Sequence, residues 1–256
     1  MKKRKLYMVS EFTDPCYYVD TAISRLSKIE KPCAIIITKD IGKCEKLIDY
    51  CNSAAIPFIT HATITGLAGT ELEPNVPATD KVLADLERLI KSGKVLPERA
   101  VIRVDPIVPF YSNIVEIEKI IAKASELGIK SCRISIVDYY RHVIDRMRQK
   151  QLQHGPSFQM ATDNKDKLID SIFRITRNYN IKLYLCAEFI PENLDKQWIS
   201  NRGCASLYDW QKLGVELDDA TRHQRANCTC DAEKQDLLYG LRKGCSHECT
   251  YCYLKW

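Results

Sequence analysis

Residues 33–65, CAIIITKDIGKCEKLIDYCNSAAIPFITHATIT, contain one strand–helix–strand unit and decide the fold class. The apolar, β-branched runs Cys33–Thr38 and Phe58–Thr65 predict two strands. The amphipathic stretch 41–53 between them predicts a helix. A strand, a helix and a second strand in this order form the repeating unit of proteins built around a parallel sheet.

The same alternation continues over residues 5–188 and gives six strand–helix units. The predicted helices lie near residues 16–28, 41–53, 79–92, 113–127 and 163–179. The predicted strands are Lys5–Ser10, Cys33–Thr38, Phe58–Thr65, Val101–Asp105, Cys132–Val137 and Lys182–Ala187. We therefore expect an α/β fold, a partial (β/α)6 TIM-like barrel over residues 1–189. Residues 190–256 lose the periodicity, and we expect them to form a cysteine-rich tail packed over the barrel mouth as part of one structural unit.

Composition restricts the class of protein. The chain has 256 residues, 45% hydrophobic and 28% charged, which suits one large globular domain. No apolar run approaches the roughly 18 residues of a membrane span, and the basic first residues are followed by Glu11, Asp14 and Pro15 before an apolar signal-peptide core develops. Twelve cysteines outside a small secreted scaffold indicate metal or redox chemistry. We expect a cytoplasmic protein with no membrane partner.

Polar side chains stand at the end of every predicted strand. In α/β barrels the carboxyl ends of the strands surround the active site, although any strand also becomes polar where it meets solvent. We expect substrate or catalytic contacts from Arg103, Asp105, Asp138 and Glu188, and cofactor contacts from Thr38, Lys39, Thr63 and Ser135. Arg103 suits a carboxylate because its guanidinium binds two oxygens at once.

Two segments interrupt the alternation of strands and helices. Residues 66–78 and 139–162 are longer than most connections in such folds and are predicted to be loops. Long loops above a barrel mouth are commonly functional, and disorder is the alternative.

Residues 244–252, GCSHECTYC, contain Cys245, Cys249 and Cys252 in the spacing C-x3-C-x2-C, which is the radical-SAM signature. Three thiolates on one loop can bind three irons of a [4Fe-4S] cluster and leave the fourth iron without a protein ligand. S-adenosylmethionine (SAM) can chelate that iron, and an electron from the cluster then cleaves it to a 5′-deoxyadenosyl radical. Tyr251 is the candidate for packing near the adenine.

A zinc site is the main alternative for these cysteines. Zinc usually has four Cys or His ligands, so His247 or an upstream cysteine could complete a tetrahedron with the three thiolates. On spacing alone, both readings stay open.

Four cysteines further upstream form a second candidate group: Cys186, Cys204, Cys228 and Cys230. They could bind an auxiliary cluster, so the chain would hold one [4Fe-4S] cluster or two. Alternatively, Cys186 is a buried thiol and the C-x-C pair binds zinc. The remaining cysteines lie inside predicted strands and helices, where a reduced core thiol is the usual explanation, and we assign them no role.

The chain resembles, over nearly its whole length, an uncharacterised bacterial and archaeal family with a radical-SAM-like cysteine cluster at the C-terminus, often grouped near the spore photoproduct lyases. The resemblance implies the same cluster and SAM chemistry and names no substrate. The matching segments are Thr13-Asp14, Thr38-Lys39, Thr63-Ile-Thr65, Glu73-Pro-Asn-Val-Pro77, Arg103-Val-Asp105-Pro106, Ser135-Ile-Val-Asp138-Tyr139-Tyr140, Cys186-Ala-Glu188, Gly203-Cys204, Cys228-Thr-Cys230 and residues 245–253.

Two features depart from the expected pattern. The family usually has paired arginines where this chain has Glu11 and Phe12. Radical-SAM enzymes carry the cluster loop after the first strand, whereas here it follows the last one, as a circularly permuted connection would explain.

These observations predict a radical-SAM enzyme that abstracts hydrogen from an unknown substrate, a small molecule or a molecule derived from nucleic acid. Such an enzyme needs an electron donor such as flavodoxin or ferredoxin. Two alternatives remain: a zinc-stabilised barrel hydrolase, and a non-catalytic nucleic-acid or protein adaptor with a zinc tail.

Overall fold

The computed structural model describes residues 4–9, 13–155, 162–217, 228–232, 234–241 and 245–254. All six predicted strands are present, and there are two further short ones. The strands are β1 (Lys5–Val9), β2 (Pro32–Thr38), β3 (Phe58–Thr63), β4 (Ala100–Ile107), β5 (Ser131–Ile136), β6 (Lys182–Leu185), β7 (Ile199–Ser200) and β8 (Lys234–Asp236). Ser10, the predicted end of β1, lies outside the described residues, as do Glu11 and Phe12.

The strands form one parallel sheet in the order β7-β6-β5-β4-β3-β2-β1-β8. Parallel strands that follow one another side by side wind in one direction and place their connecting helices on one face. The α/β class is confirmed. The expected six strands are corrected to eight in a sheet that is not closed, with β7 and β8 as its edges. Both added strands come from residues 190–256, so the tail extends the sheet as well as covering it.

Seven α-helices accompany the strands in the described part of the chain. They are α1 (Val19–Leu26), α2 (Glu45–Ser53), α3 (Thr79–Lys91), α4 (Ile114–Glu126), α5 (Arg141–Gln149), α6 (Thr162–Asn178) and α7 (Leu207–Lys212). Helix α5 corrects the predicted loop at 139–162, because Val143, Ile144 and Met147 form a buried stripe on it. Within the described ranges, no helix combines the length and apolar character of a membrane span.

The two faces of the sheet have separate cores because side chains alternate along each strand. On β4, Ile102 and Val104 belong to the larger core between sheet and helices. Val101, on the same side as Arg103 and Asp105, belongs to a second core on the other face. The charged pair therefore lies on the face away from helices α1 to α4 and α6.

Residues 204–217 and 228–232 cover this second face. Trp210 of α7 is completely buried there, in a cluster with Met8 and Ile35 of the sheet. The cover is also held by Arg133 of β5, which is 1% exposed. Its guanidinium donates to the carbonyl of Arg202 at 3.1 Å and to the carboxylate of Asp209. In a closed barrel this face of the sheet would line the lumen. Here the tail packs against it instead.

Candidate metal and cofactor site at the carboxyl edge of the sheet

A cavity of about 560 Å³ opens at the carboxyl ends of the strands. Cys245, Cys249 and Cys252 line it on one side, and the ends of β2 to β6 line it on the other. Of the predicted contact residues, Thr38, Lys39, Thr63, Arg103, Asp105, Ser135, Asp138 and Tyr251 all line this cavity. The structure thus brings together most of the polar strand ends and the cysteine loop.

Residues 245–254, hereafter the cysteine loop, are held by both long connections of the sheet. From α5, Arg146 donates to the carbonyls of Thr250 at 2.9 Å and Leu254 at 3.1 Å, and also to that of Cys252. From the connection at 66–78, Asn75 donates to the carbonyl of Ser246 at 3.0 Å. The backbone N–H of Thr250 donates to Leu72 O at 3.0 Å. These segments position the three thiols.

The three thiols have buried surroundings with polar donors. Burial raises the pKa of all three, that of Cys249 to about 12. Backbone N–H groups hydrogen-bond to two of the sulfurs, those of His247 and Asp14 to Cys245 and that of Leu254 to Cys252. Such donors favour an anionic sulfur, and so would a positively charged metal.

His247 lies inside the cysteine loop, but its side chain contacts Asp14. It therefore does not serve as a fourth ligand beside the three cysteines. Its Nε2 lies 3.0 Å from Asp14 Oδ2, and its Nδ1 lies 3.2 Å from the hydroxyl of Tyr17. Asp14 also accepts from Thr38 Oγ1 at 2.6 Å and from the backbone N–H of Lys39 at 2.7 Å. Burial opposes ionisation of Asp14, but these hydrogen bonds and His247 outweigh it and hold the pKa of Asp14 below its ordinary value.

Asp14, Cys16 and His247 form a possible metal-binding triad, with ligand atoms within 4.8 Å of one another. The sequence interpretation left Cys16 without a role, because it lies in an apparent helix. Its Sγ is 3.7 Å from His247 Nε2. No spacing in the sequence could have joined residues this far apart in the chain.

Lys39 forms a buried ion pair in the cavity wall. Its Nζ lies 2.6 Å from Glu73 Oε1 and 2.9 Å from the hydroxyl of Tyr251. Tyr251 and Thr65 both donate to the Glu73 carboxylate. Burial opposes the charge on Glu73, but Lys39 and these donors hold its pKa below the ordinary value. Glu73 was quoted only as part of the family resemblance, and its site role was missed because it lies in a Gly- and Pro-rich loop.

Arg103 pairs with Asp105, and Ser135 donates to the other oxygen of Asp105. Burial opposes the charge on Arg103, but Asp105 holds its pKa above the ordinary value. Three of the predicted contact residues therefore pair and hydrogen-bond with one another in the cavity wall.

Glu188 lies apart from this cavity wall. Its carboxylate accepts from the backbone N–H of Ile136 at 3.1 Å and pairs with Lys165 at 3.3 Å. Burial raises the pKa of Glu188. The structure gives Glu188 contacts that link β5, β6 and α6, and it is not among the cavity-lining residues.

None of the twelve cysteines, all in the described ranges, forms a disulfide. Cys186 and Cys204 line the same cavity as the cysteine loop, and Cys204 Sγ lies 3.8 Å from Cys230 Sγ. The predicted second group therefore comes together at least in part.

The sequence profile of one protein family matches residues 8–254. The chain belongs to the DUF1848 family. This family is described as a domain of unknown function. Membership confirms the resemblance to a family without an assigned activity, whereas the link from DUF1848 to radical-SAM enzymes and spore photoproduct lyases stays a prediction. No curated protein matches the sequence.

Some solved structures are weakly similar to this DUF1848 chain. A dihydropyrimidinase from Brevibacillus agri aligns over 72% of this chain and 41% of its own, with 12% identity and a TM-score of 0.37. A D-hydantoinase from a Bacillus species aligns over 72% and 41%, with 15% identity and a TM-score of 0.36. An adenosine deaminase from Xanthomonas campestris with bound zinc aligns over 73% and 49%, with 10% identity and a TM-score of 0.37. The chain spans less than half of each relative, and similarity at this level carries no conclusion about chemistry.

Proposed function

We propose that this protein is a radical-SAM enzyme whose [4Fe-4S] cluster is bound by Cys245, Cys249 and Cys252. The observation that carries the proposal is the position of these three thiols, which line one side of a cavity large enough for a small-molecule cofactor. Strand-end polar groups on the opposite side are suited to a second ligand.

The donor set fits a cluster better than a single zinc ion. Ligands of one zinc ion lie close together because each bond is only about 2.0–2.3 Å long. Within the described residues, the one group of three or more ligand atoms within 4.8 Å of one another is Asp14, Cys16 and His247. The three loop cysteines form no such compact group, and His247 is engaged by Asp14. A cluster with a separate iron for each thiolate accommodates the wider spacing.

When bound, the cluster and SAM would supply a 5′-deoxyadenosyl radical for hydrogen abstraction. Cys245, Cys249 and Cys252 would hold the cluster, and Arg146 would fix the loop that carries them. Lys39 and Tyr251, joined through Glu73, would form the adjacent wall and orient a ligand there. Arg103, Asp105, Ser135 and Asp138 line the part of the cavity that would receive substrate.

The partners of this activity follow from its chemistry. The substrate would be a small molecule or a molecule derived from nucleic acid, and a flavodoxin or ferredoxin would supply the electron. These partners are part of the proposal, as is cytoplasmic location, since iron–sulfur chemistry of this kind needs a reducing environment.

Metal and sulfide analysis of anaerobically purified protein tests the proposal. We expect brown protein with absorbance at about 400 nm and about four irons per cluster. Changing Cys245, Cys249 or Cys252 to Ala should remove that iron and the cleavage of SAM, while Cys51→Ala, a matched change of a fully buried core thiol, should retain both. Full iron content and SAM cleavage in all three loop variants would refute the proposal.

One observation supports a second candidate, a zinc-dependent hydrolase. Asp14, Cys16 and His247 present the oxygen, sulfur and nitrogen ligands that zinc accepts. The same purification distinguishes the two candidates, because a hydrolase would be colourless and contain zinc that is lost from Cys16→Ala rather than from the three loop variants.

A further inference from the structure

A second set of sulfur atoms lies at the same cavity as the cysteine loop. Cys204 Sγ and Cys230 Sγ are 3.8 Å apart, and Cys186 lines the cavity together with Cys204. These residues come from three separate segments: Cys186 follows β6, Cys204 follows β7, and Cys230 precedes β8. The fold therefore brings them together, and their spacing along the chain does not.

The local backbone is shaped to allow this approach. A Cβ atom on Gly203 would lie 2.7 Å from Cys230 Sγ, which is closer than real Cβ contacts. Only glycine at position 203 therefore lets Cys230 pack against the segment that carries Cys204. The backbone N–H of Asp231 then donates to Ala205 O at 3.1 Å, and this bond fixes the two segments side by side.

Positive charge surrounds these sulfurs. Lys234 Nζ lies 3.6 Å from Cys230 Sγ. Arg103 lines the same cavity as Cys204. Buried thiols in an apolar core need no cations, whereas metal-bound thiolates and sulfides are commonly stabilised by such donors.

The spacing of two sulfurs also fits a shared metal atom. In a tetrahedron with metal–sulfur bonds of about 2.3 Å, two sulfur ligands lie about 3.8 Å apart. Cys204 and Cys230 have that separation.

We propose that Cys186, Cys204 and Cys230 bind a second thiolate-coordinated metal centre, with Cys204 and Cys230 as ligands of one metal atom. Cys228, two residues before Cys230 and in the same buried cluster, is the candidate for the fourth ligand. Soft thiolate ligands select zinc or the iron of a cluster. Cys186, Cys204 and Cys230 are not a three-ligand group within 4.8 Å among the described residues, so a [2Fe-2S] cluster, in which each iron has two thiolate ligands, fits them better than one zinc ion. The centre would fasten residues 203–217 and 228–232 to the sheet at the cavity that the cysteine loop also lines. It does not depend on the proposed function, since it uses none of the same cysteines.

The test uses the full chain with Cys245, Cys249 and Cys252 all changed to Ala, so that any remaining metal reports the second centre alone. After anaerobic purification, zinc, iron and sulfide are measured. We expect this triple variant to retain either about one zinc or iron with sulfide. Adding Cys204→Ala or Cys230→Ala should lower that metal at least fivefold, and adding Cys51→Ala should leave it unchanged.

Zinc loss would identify a single ion, and joint loss of iron and sulfide in equal amounts, about two of each, a [2Fe-2S] cluster; either supports the centre. Equal metal content in the Cys204→Ala, Cys230→Ala and Cys51→Ala proteins would overturn it. Because the Cys204 and Cys230 variants could fail to fold, Co²⁺ is also added to chelator-treated triple variant, whose fold is checked by circular dichroism. Thiolate-to-cobalt charge-transfer absorption is expected. A folded triple variant that shows no such absorption and that contained neither zinc nor iron with sulfide when purified would overturn the centre.

Discussion

The carboxylate of Asp14 lies 3.0 Å from Nε2 of His247, which is 233 positions further along the chain. This contact joins the segment after β1 to the cysteine loop. Asp14→Asn should lower the free energy of unfolding by about 2–3 kcal/mol, because an amide group would turn its NH2 toward the donors of Lys39 or Thr38. Urea unfolding measures the loss.

The matched control is Asp20→Asn, since the Asp20 side chain is 82% exposed and pairs with Lys46 at the surface. It should change stability by less than about 0.5 kcal/mol. A similar loss in both variants would contradict the buried role of Asp14.

Lys39→Met should cost about 3–5 kcal/mol, because it leaves the buried Glu73 carboxylate without its cation. Adding Glu73→Gln should recover part of the loss, with a coupling energy above about 1 kcal/mol. Thermal or urea unfolding of both single variants and the double variant measures the coupling. Lys46→Met, whose side chain is 70% exposed and pairs with the exposed Asp20, is the control, and additive effects of Lys39→Met and Glu73→Gln would argue against the pair.

Arg103→Ala should destabilise the protein by about 2–5 kcal/mol, because Asp105 stays buried without its partner. The double variant Arg103→Ala/Asp105→Ala separates the effect of the lost ion pair on stability from an effect on ligand binding. If Arg103 only neutralises Asp105, the double variant regains stability and binds SAM as the parent does. If Arg103 also contacts SAM or substrate, calorimetric titration shows weaker binding by the double variant than by the single variant Asp105→Ala, at a restored melting temperature.

Arg146→Ala should shorten the time for which the cysteine loop holds its metal, because three carbonyls of the loop lose their donor. Iron release into a chelator, followed by absorbance, should be several-fold faster than in the parent. Arg148→Ala, on the same helix and bonded to His154, is the control. Equal release rates in the two variants would show that Arg146 does not secure the loop.

Glu45 gives a pH-dependent prediction away from the site. Hydrogen bonds from Arg88 and Lys94 lower its pKa to about 2, from about 4.3 in an unfolded chain. Its contribution is therefore complete above pH of about 4.3 and disappears as the pH falls toward 2. Glu45→Gln should cost about 0.5–1 kcal/mol at pH 7, since the pair is partly exposed, and nothing near pH 2. A difference from the parent that is constant with pH would contradict this.

The sequence predicted those elements that have a local signal. Strand β2 is a continuous apolar run, as expected for a buried parallel strand. The residues Cys33–Thr38 were therefore sufficient to predict it. Strand β8 has only the polar residues Lys-Gln-Asp and pairs through its backbone with β1. No periodicity could have revealed it. Helix α5 was missed because its many charged residues conceal a three-residue apolar stripe.

The sequence predicted which residues line the candidate site, but it did not predict which of them contact one another. Strand-end positions of a parallel sheet meet at one edge, and this rule found Lys39, Arg103 and Ser135. It could not show that Lys39 pairs with Glu73, which lies in a loop. It also could not show that His247 contacts Asp14 instead of joining the three thiols as a ligand. Such pairings depend on which distant segments of the chain the fold brings together, and the spacing of residues along the sequence does not specify this.

The cysteine loop rests on α5, on the 66–78 connection and on Asp14, all of which precede it in the chain. During synthesis these supports leave the ribosome before the cysteine loop does, so they are available to it when it emerges. A metal at the loop would thus be delivered to a finished frame, in contrast to structural zinc, which folds its own peptide around it. Interrupted synthesis would then yield a nearly complete sheet with no means of holding the loop's metal.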